Sequence, residues 1–284
     1  MAGSAASSRP LAPDERLTVN GGISSLGVAS AIYLYCVLKA PRKPAPSGAP
    51  PGLPGARAVE IVPLAESLYL VTASVPLEQY GPGKLDTMLS DLDRVGDIAL
   101  AHEDVVEHFA QRNGAIVVPM KLFTMFSSVE RAVKDISSKR PSIDAAIEKI
   151  AGAEEWGIRV VRAVAAERET KAPVAPRSGA AFLAAKKQAR DDVKNAKLVA
   201  AAAATRAFER LAALSRDARR REAASTPGAT QPLLDAAFLV RSGDREKFTE
   251  TARTEAAACA SAGGHMIVTG PWPAYNFIHP NESA

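Results

Sequence analysis

Apolar positions along the chain fall into blocks of two periods. The run Ala31-Ile32-Tyr33-Leu34-Tyr35-Cys36-Val37-Leu38 is β-branched and aromatic and predicts a first strand. The stretch 41–56 holds six prolines and three glycines and predicts a loop. Two further strand candidates follow, Val59–Leu64 and Leu68–Ser74, close enough in sequence to form a hairpin. The spacing then changes towards 3.6 residues. Lys84–Leu89 predicts a short helix. Asp91–Arg112 predicts a longer one, through Leu92, Val95, Ile98, Val105, Val106 and Phe109, with a break near His102 and a stop at Asn113-Gly114. Ala115–Met120 predicts a short strand. Ser127-Ser128-Val129-Glu130 reads as an N-cap opening a helix to about Ser138, and Pro141 opens another to Ala151.

The pattern restarts after Gly152. Apolar and charged residues alternate over much of Glu155–Val164, which predicts a half-exposed strand. Residues 170–177 read as a linker. From Ser178 to about Ala224 there is no proline, and Ala, Lys, Arg and Leu dominate. This predicts one long helix, or two joined by a slight bend, packing closely through alanines. Leu233–Val240 predicts a strand, Ser242-Gly243-Asp244 a turn, Arg245–Ala262 a helix ended by Gly263-Gly264, and His265–Gly270 a last strand. The resulting β-α-β-α-β order resembles a partial ferredoxin-like unit with an extended first helix. The fold class is thus α+β in two domains, 29–152 and 153–279, the second a modified ferredoxin-like fold with a long helical extension. Residues 1–28, rich in Ala, Ser, Gly and Pro without periodicity, read as a disordered tail.

Composition narrows the picture. Of the 284 residues 47% are hydrophobic but only 5% aromatic, so alanine carries much of the apolar fraction and favours helix. The net charge is +4, from 35 basic and 31 acidic side chains, too slight to imply nucleic acid by itself. Cys36 and Cys259 both sit in apolar runs and read as small buried hydrophobes; there is no CxxC, and a reducing cytoplasm fits. No apolar run reaches the roughly 20 residues a membrane helix needs. The N-terminus has no apolar h-region behind a basic start, so a cytosolic chain without a secretory signal is expected.

Few constellations suggest chemistry. His102 and His108 are six apart and do not share a helical face as an i, i+4 metal pair would; with Glu103 and Asp104 they read as the solvated polar face of a helix. Asp86, Asp91, Asp93 and Asp97 lack the loop of a calcium site and read as helix N-terminal acids. No dinucleotide, Walker A or nucleophile-elbow motif occurs, and Pro82 removes a needed N–H from Gly81-Pro82-Gly83-Lys84. Lys186, Lys187, Arg190, Lys194 and Lys197, with Arg216, Arg219, Arg220 and Arg221, would give the long helix a basic character. Acids interleave and stacking aromatics are lacking, so a solvated face outweighs nucleic-acid binding. The end segment Gly270-Pro271-Trp272-Pro273-Ala274-Tyr275-Asn276-Phe277 differs from all of these. Two prolines stiffen the chain around a large ring, and Trp272, Tyr275 and Phe277 read as anchors of the last strand, as a rigid apolar contact surface, or as both.

Five segments in order carry a resemblance: Tyr33-Leu34-Tyr35-Cys36-Val37, His102-Glu103-Asp104-Val105-Val106, Val118–Phe126, Trp156-Gly157-Ile158-Arg159-Val160 and Gly270–Phe277. Together they resemble the gas vesicle accessory proteins of the GvpF/GvpL family over about residues 31–278. The family's pattern Pro-x-Arg-Phe-Gly-Thr stands here as Pro119-Met120-Lys121-Leu122-Phe123-Thr124, with lysine for the arginine and phenylalanine for the glycine. The resemblance implies a two-domain α+β protein without catalytic residues or cofactor. It implies a cytoplasmic assembly factor, associated with gas vesicles, that contacts the hydrophobic shell protein and other accessory proteins during nucleation. Pro119, Lys121, Thr124 and Trp156 join Trp272, Tyr275 and Phe277 as structural or partner-contact candidates. Two other readings stay beside it: a nucleic-acid-binding protein using the basic long helix, and an enzyme with a site near His102, Glu103 and His108.

Overall fold

The computed structural model describes residues 29–112, 114–162, 179–222 and 232–278. The expected N-terminal tail, the 170–177 linker, Asn113 and Pro227-Gly228 lie outside the described residues.

The first half of the chain is built on a five-stranded sheet. β1 (Ser30–Lys39), β2 (Glu60–Ala65) and β3 (Leu68–Pro76) are followed by the helices α1 (Leu77–Tyr80), α2 (Lys84–Leu89) and α3 (Leu92–Ala110). β4 (Ile116–Pro119) and β5 (Met125–Phe126) follow, then α4 (Val129–Ser138) and α5 (Arg140–Ile150). The strands lie in the order β2-β3-β1-β4, with β5 also on β1, and β2 and β3 form the expected antiparallel hairpin. β1 and β3 shift register between Leu34 and Cys36. This bulge breaks the two-residue alternation, so Tyr33, Tyr35, Cys36 and Leu38 share one core with α3, while Leu34 and Val37 share the other with α4 and α5. The 41–56 loop is tied down, with Leu53 N–H donating to Tyr35 Oη at 3.0 Å and Tyr80 Oη donating to the Pro54 carbonyl at 2.9 Å.

Helix ends follow local chemistry. Ser128 Oγ accepts from Arg131 N at 3.2 Å, and Asp91 Oδ1 accepts from Arg94 N at 3.2 Å, so one acid of the suspected cluster is an N-cap. α3 runs unbroken through His102, with no proline to interrupt it. The expected break is absent because His102 packs inward and extends the buried face.

The second half holds β6 (Ala153–Arg162), α6 (Gly179–Ala212), β7 (Asp217–Arg220), β8 (Leu234–Arg241), α7 (Arg245–Ser261) and β9 (Gly264–Trp272). A 3-10 turn, Tyr275–Phe277, ends the described chain. The sheet order is β7-β8-β6-β9, antiparallel throughout. β6 is a central strand, more buried than a half-exposed one, because α6 and α7 cover one face and part of the other meets the first half. Ala203, Ala204, Ala207 and Leu211 of α6 pack with Phe248 and Ala252 of α7 over Ile158 and Phe238. Cys36 and Cys259 are both buried free thiols.

The long helix expected to reach Ala224 stops at Ala212, and Arg216, Arg219 and Arg220 belong to β7 or its approach. Tertiary pairing overrides helix propensity there, since β7 completes the sheet on β8. No helix of the described residues is long and apolar enough to cross a membrane.

Candidate functional site

The segment after β9 lies in the seam between the two halves. Gly270 adopts φ 121°, and a Cβ there would stand 2.8 Å from the Glu155 carbonyl oxygen, so the close passage of β9 over β6 requires glycine. Opposite the Glu155/Gly157 shift, β9 inserts an extra residue between Thr269 and Trp272. The chain then turns into the seam. Ala274, Phe277 and Ile278 enter the core that also holds Leu34 and Val37 of β1, Ile147 and Ile150 of α5, and Leu239 of β8.

Polar contacts fix this strap. Glu155, 4% exposed, accepts from Asn276 N at 2.8 Å and from Asn276 Nδ2 at 2.5 Å. Burial raises its pKa, opposed by the Asn276 hydrogen bonds and by Arg221 and Arg219. Arg219 donates to the Asn276 carbonyl at 2.7 Å and stacks over the Phe277 ring at 5.3 Å, with Lys149 on the same ring at 5.6 Å. Arg216 donates to the carbonyls of Lys149 and Ala151, and Arg221 pairs with Asp235 at 2.5 Å. Three of the four arginines in the suspected basic helix therefore join the two halves or brace the second sheet.

Tyr275 reaches the other core. Its ring lies 6.3 Å from that of His102, and its buried hydroxyl interacts with the Glu103 carboxylate without reaching full hydrogen-bond geometry. His102, expected on a solvated face, is only 3% exposed. Its Nδ1 lies 2.8 Å from Tyr33 Oη, and that oxygen also accepts from Phe123 N at 3.2 Å. Burial holds His102 down to about 4 and pushes Glu103 up. His108, on the next turns of α3, instead meets Arg112 at 2.8 Å. The two histidines thus serve separate contacts. Among the described residues no group of three or more His, Cys, Asp or Glu side chains is placed to hold a metal ion.

The remaining candidates are spread over this frame. Pro119 ends β4, paired with Cys36. Lys121 is exposed, and its carbonyl accepts from Thr124 N at 3.2 Å and Thr124 Oγ1 at 2.7 Å; the Thr124 carbonyl in turn accepts from Leu34 N at 2.9 Å. Between them Phe123 sits at φ 63°, a left-handed conformation rare for a bulky side chain. Trp156, 8% exposed, packs 5.9 Å from the Phe248 ring. Phe277 is 2% exposed, whereas Trp272 is 41% exposed. The three aromatics of the end segment therefore divide: Phe277 fills the seam, Tyr275 enters the first core, and Trp272 stays at the surface of β9, the strand at the end of the sheet order that also exposes Ile267 and Val268. Sequence reasoning passed over Glu155 and Asn276. Glu155 stands in a strand that also carries Glu154, Arg159 and Arg162, so its charge gives no signal, and Asn276 has none either.

Comparison with known proteins agrees with the resemblance carried by the five segments. The chain is 28% identical over 225 residues to gas vesicle protein L of Streptomyces sp. (strain CB03234), covering 74% of this chain and 79% of that one. Two crystal structures share the fold. Gas vesicle protein GvpF from Anabaena sp. PCC7120 superposes with a TM-score of 0.61 at 14% identity, covering 89% of this chain and 100% of that one. GvpF from Microcystis aeruginosa gives 0.56 at 12%, covering 88% and 99%. The family model described as gas vesicle synthesis protein GvpL/GvpF matches residues 31–279, and the chain belongs to that family.

Proposed function

We propose that the protein is a non-enzymatic assembly factor of gas vesicles, a minor component that contacts the hydrophobic shell protein and other accessory proteins during nucleation. The observation that carries this reading is the family match across residues 31–279, which spans both sheets and the strap. The physical need is plain: a shell subunit with an apolar gas-facing side exposes aggregating surface until it is assembled. Association with gas vesicles in the cytoplasm follows from the same reading. Two domains, divided near Gly152, with a ferredoxin-like second domain, fit the β-α-β-β-α-β succession and the order β7-β8-β6-β9. On this reading Phe277, Tyr275, Trp156 and Pro119 hold the fold, exposed Trp272 is the foremost contact for a partner, and Lys121 and Thr124 are further contact candidates.

Deletion in a vesicle-forming host tests the function. Loss or malformation of vesicles, restored by the wild-type gene, is the expected outcome, with co-purification of the shell protein on a tagged chain. Vesicles of unchanged yield and shape after deletion would overturn it.

A further inference from the structure

α6 is buried over only part of its length. Every residue from 179 to 199 is exposed, and burial begins at Ala200. At 1.5 Å per residue this is roughly 30 Å of exposed helix, and from Phe182 onward its face has no covering neighbour among the described residues. Five of the eleven exposed large apolar side chains among the described residues lie on it.

The exposed part carries an ordered pattern. At 100° per residue, Phe182, Ala185, Ala189, Val193 and Ala196 fall on the same face as Ala200, Ala203, Ala207 and Leu211. The latter four, with Ala204, are the residues that α6 buries against the second sheet and α7 or at its edge. One apolar face is therefore covered by the protein's own body at one end and open at the other, where it includes a phenylalanine and a valine. Along one side of that open face run Lys186, Arg190 and Lys197, with Lys187 and Lys194 just beyond, while Asp192 borders the opposite edge and Asp191 lies on the back of the helix.

We propose that the face of α6 running from Phe182 to Ala196 is a docking surface for an amphipathic helix of a partner protein whose apolar stripe is flanked by acidic side chains. Alanines permit close helix approach, Phe182 and Val193 supply knobs, and the basic flank sets the partner's charge. A second copy of this chain brings the same excess of positive charge and so is disfavoured against itself. The proposal stands apart from the vesicle reading, since it names the chemistry of a partner and not its identity.

The test uses the full chain and two labelled helical peptides of about three heptads, leucine at a and d in both, glutamate at e and g in one and lysine in the other. The glutamate peptide is expected to bind at least about tenfold more tightly, with affinity falling as salt rises. Phe182→Asp with Val193→Asp abolishes that binding at unchanged melting temperature, because both sites are exposed. Arg190→Glu with Lys194→Glu and Lys197→Glu reverses the peptide preference. Equal binding of both peptides, no binding of either, or binding indifferent to these variants overturns the proposal. So does a dimer in sedimentation that the Phe182/Val193 variant dissolves, which would assign the face to a second copy. Each result is read without reference to vesicle formation.

Discussion

The Glu155 carboxylate holds both the backbone N–H and the side-chain amide of Asn276, 121 positions further along the chain. The pair closes the seam where the last strand leaves the second sheet and enters the first core. Asn276→Ala removes one of two hydrogen bonds to a buried carboxylate, and a loss of about 1–3 kcal/mol is expected. Glu155→Ala leaves the amide unpaired instead. Because the two changes strike the same contact, a double-mutant cycle by denaturant unfolding should show them clearly non-additive. Additive effects would mean that the strap is held by its apolar residues alone.

Phe277 and Trp272 separate packing from surface. Phe277 is 2% exposed beneath Arg219 and Lys149, so Phe277→Ala should cost about 3–5 kcal/mol. Trp272 is 41% exposed, and Trp272→Ala should change stability by less than about 1 kcal/mol. Thermal unfolding of the two variants side by side decides the assignment. A large stability loss for Trp272→Ala would return that ring to the interior. Near-neutral stability with weakened co-purification of the shell protein would make it a contact.

His102 gives the fold a pH dependence of definite sign. Its ring is held neutral by burial, with a pKa of about 4 in place of 6.5. Below about pH 6.5 the unfolded chain takes up a proton there, whereas the folded chain does not until about pH 4. Stability therefore falls as pH falls through that window, by up to about 3 kcal/mol. Glu103 and Glu155 act in the opposite sense, because burial raises their pKa and makes protonation easier when folded. Unfolding free energy against pH, compared with His102→Gln, isolates the imidazole: the slope difference between pH 6.5 and 4 should vanish in the variant.

Much of the fold was legible because strands and caps are local. β1, the β2–β3 hairpin, the Ser128 cap and α7 follow from runs and breakers within a few residues. What escaped depends on partners far away. β7 is charged and short, with nothing local to distinguish Asp217–Arg220 from the helix before it; only its place on β8 makes it a strand. His102 was expected on a solvated face because its neighbours Glu103 and Asp104 are charged, yet Tyr33, 69 positions earlier, gives its ring a partner inside. The site was legible as a segment, Gly270 to Phe277, but not in its division of labour. Which aromatic is buried depends on where the β9 insertion turns the chain, and that is set by Gly270 against β6.

Phe123 offers the last prediction. It stands where the family pattern has glycine, and its φ of 63° is one that glycine adopts freely and L side chains adopt at a cost. Its ring packs against the first core and its N–H donates to Tyr33, so the residue contributes packing while straining its backbone. Replacing it tests both parts. Phe123→Ala and Phe123→Gly remove the same ring contacts, but only the alanine keeps a Cβ in the left-handed region. The glycine variant should therefore be the more stable of the two by about 1 kcal/mol, although glycine normally loses by that amount in ordinary backbone. Melting temperatures of the two proteins under one set of conditions check it. An alanine variant as stable as the glycine variant, or more so, would mean that the turn relaxes out of the left-handed region once the ring is gone.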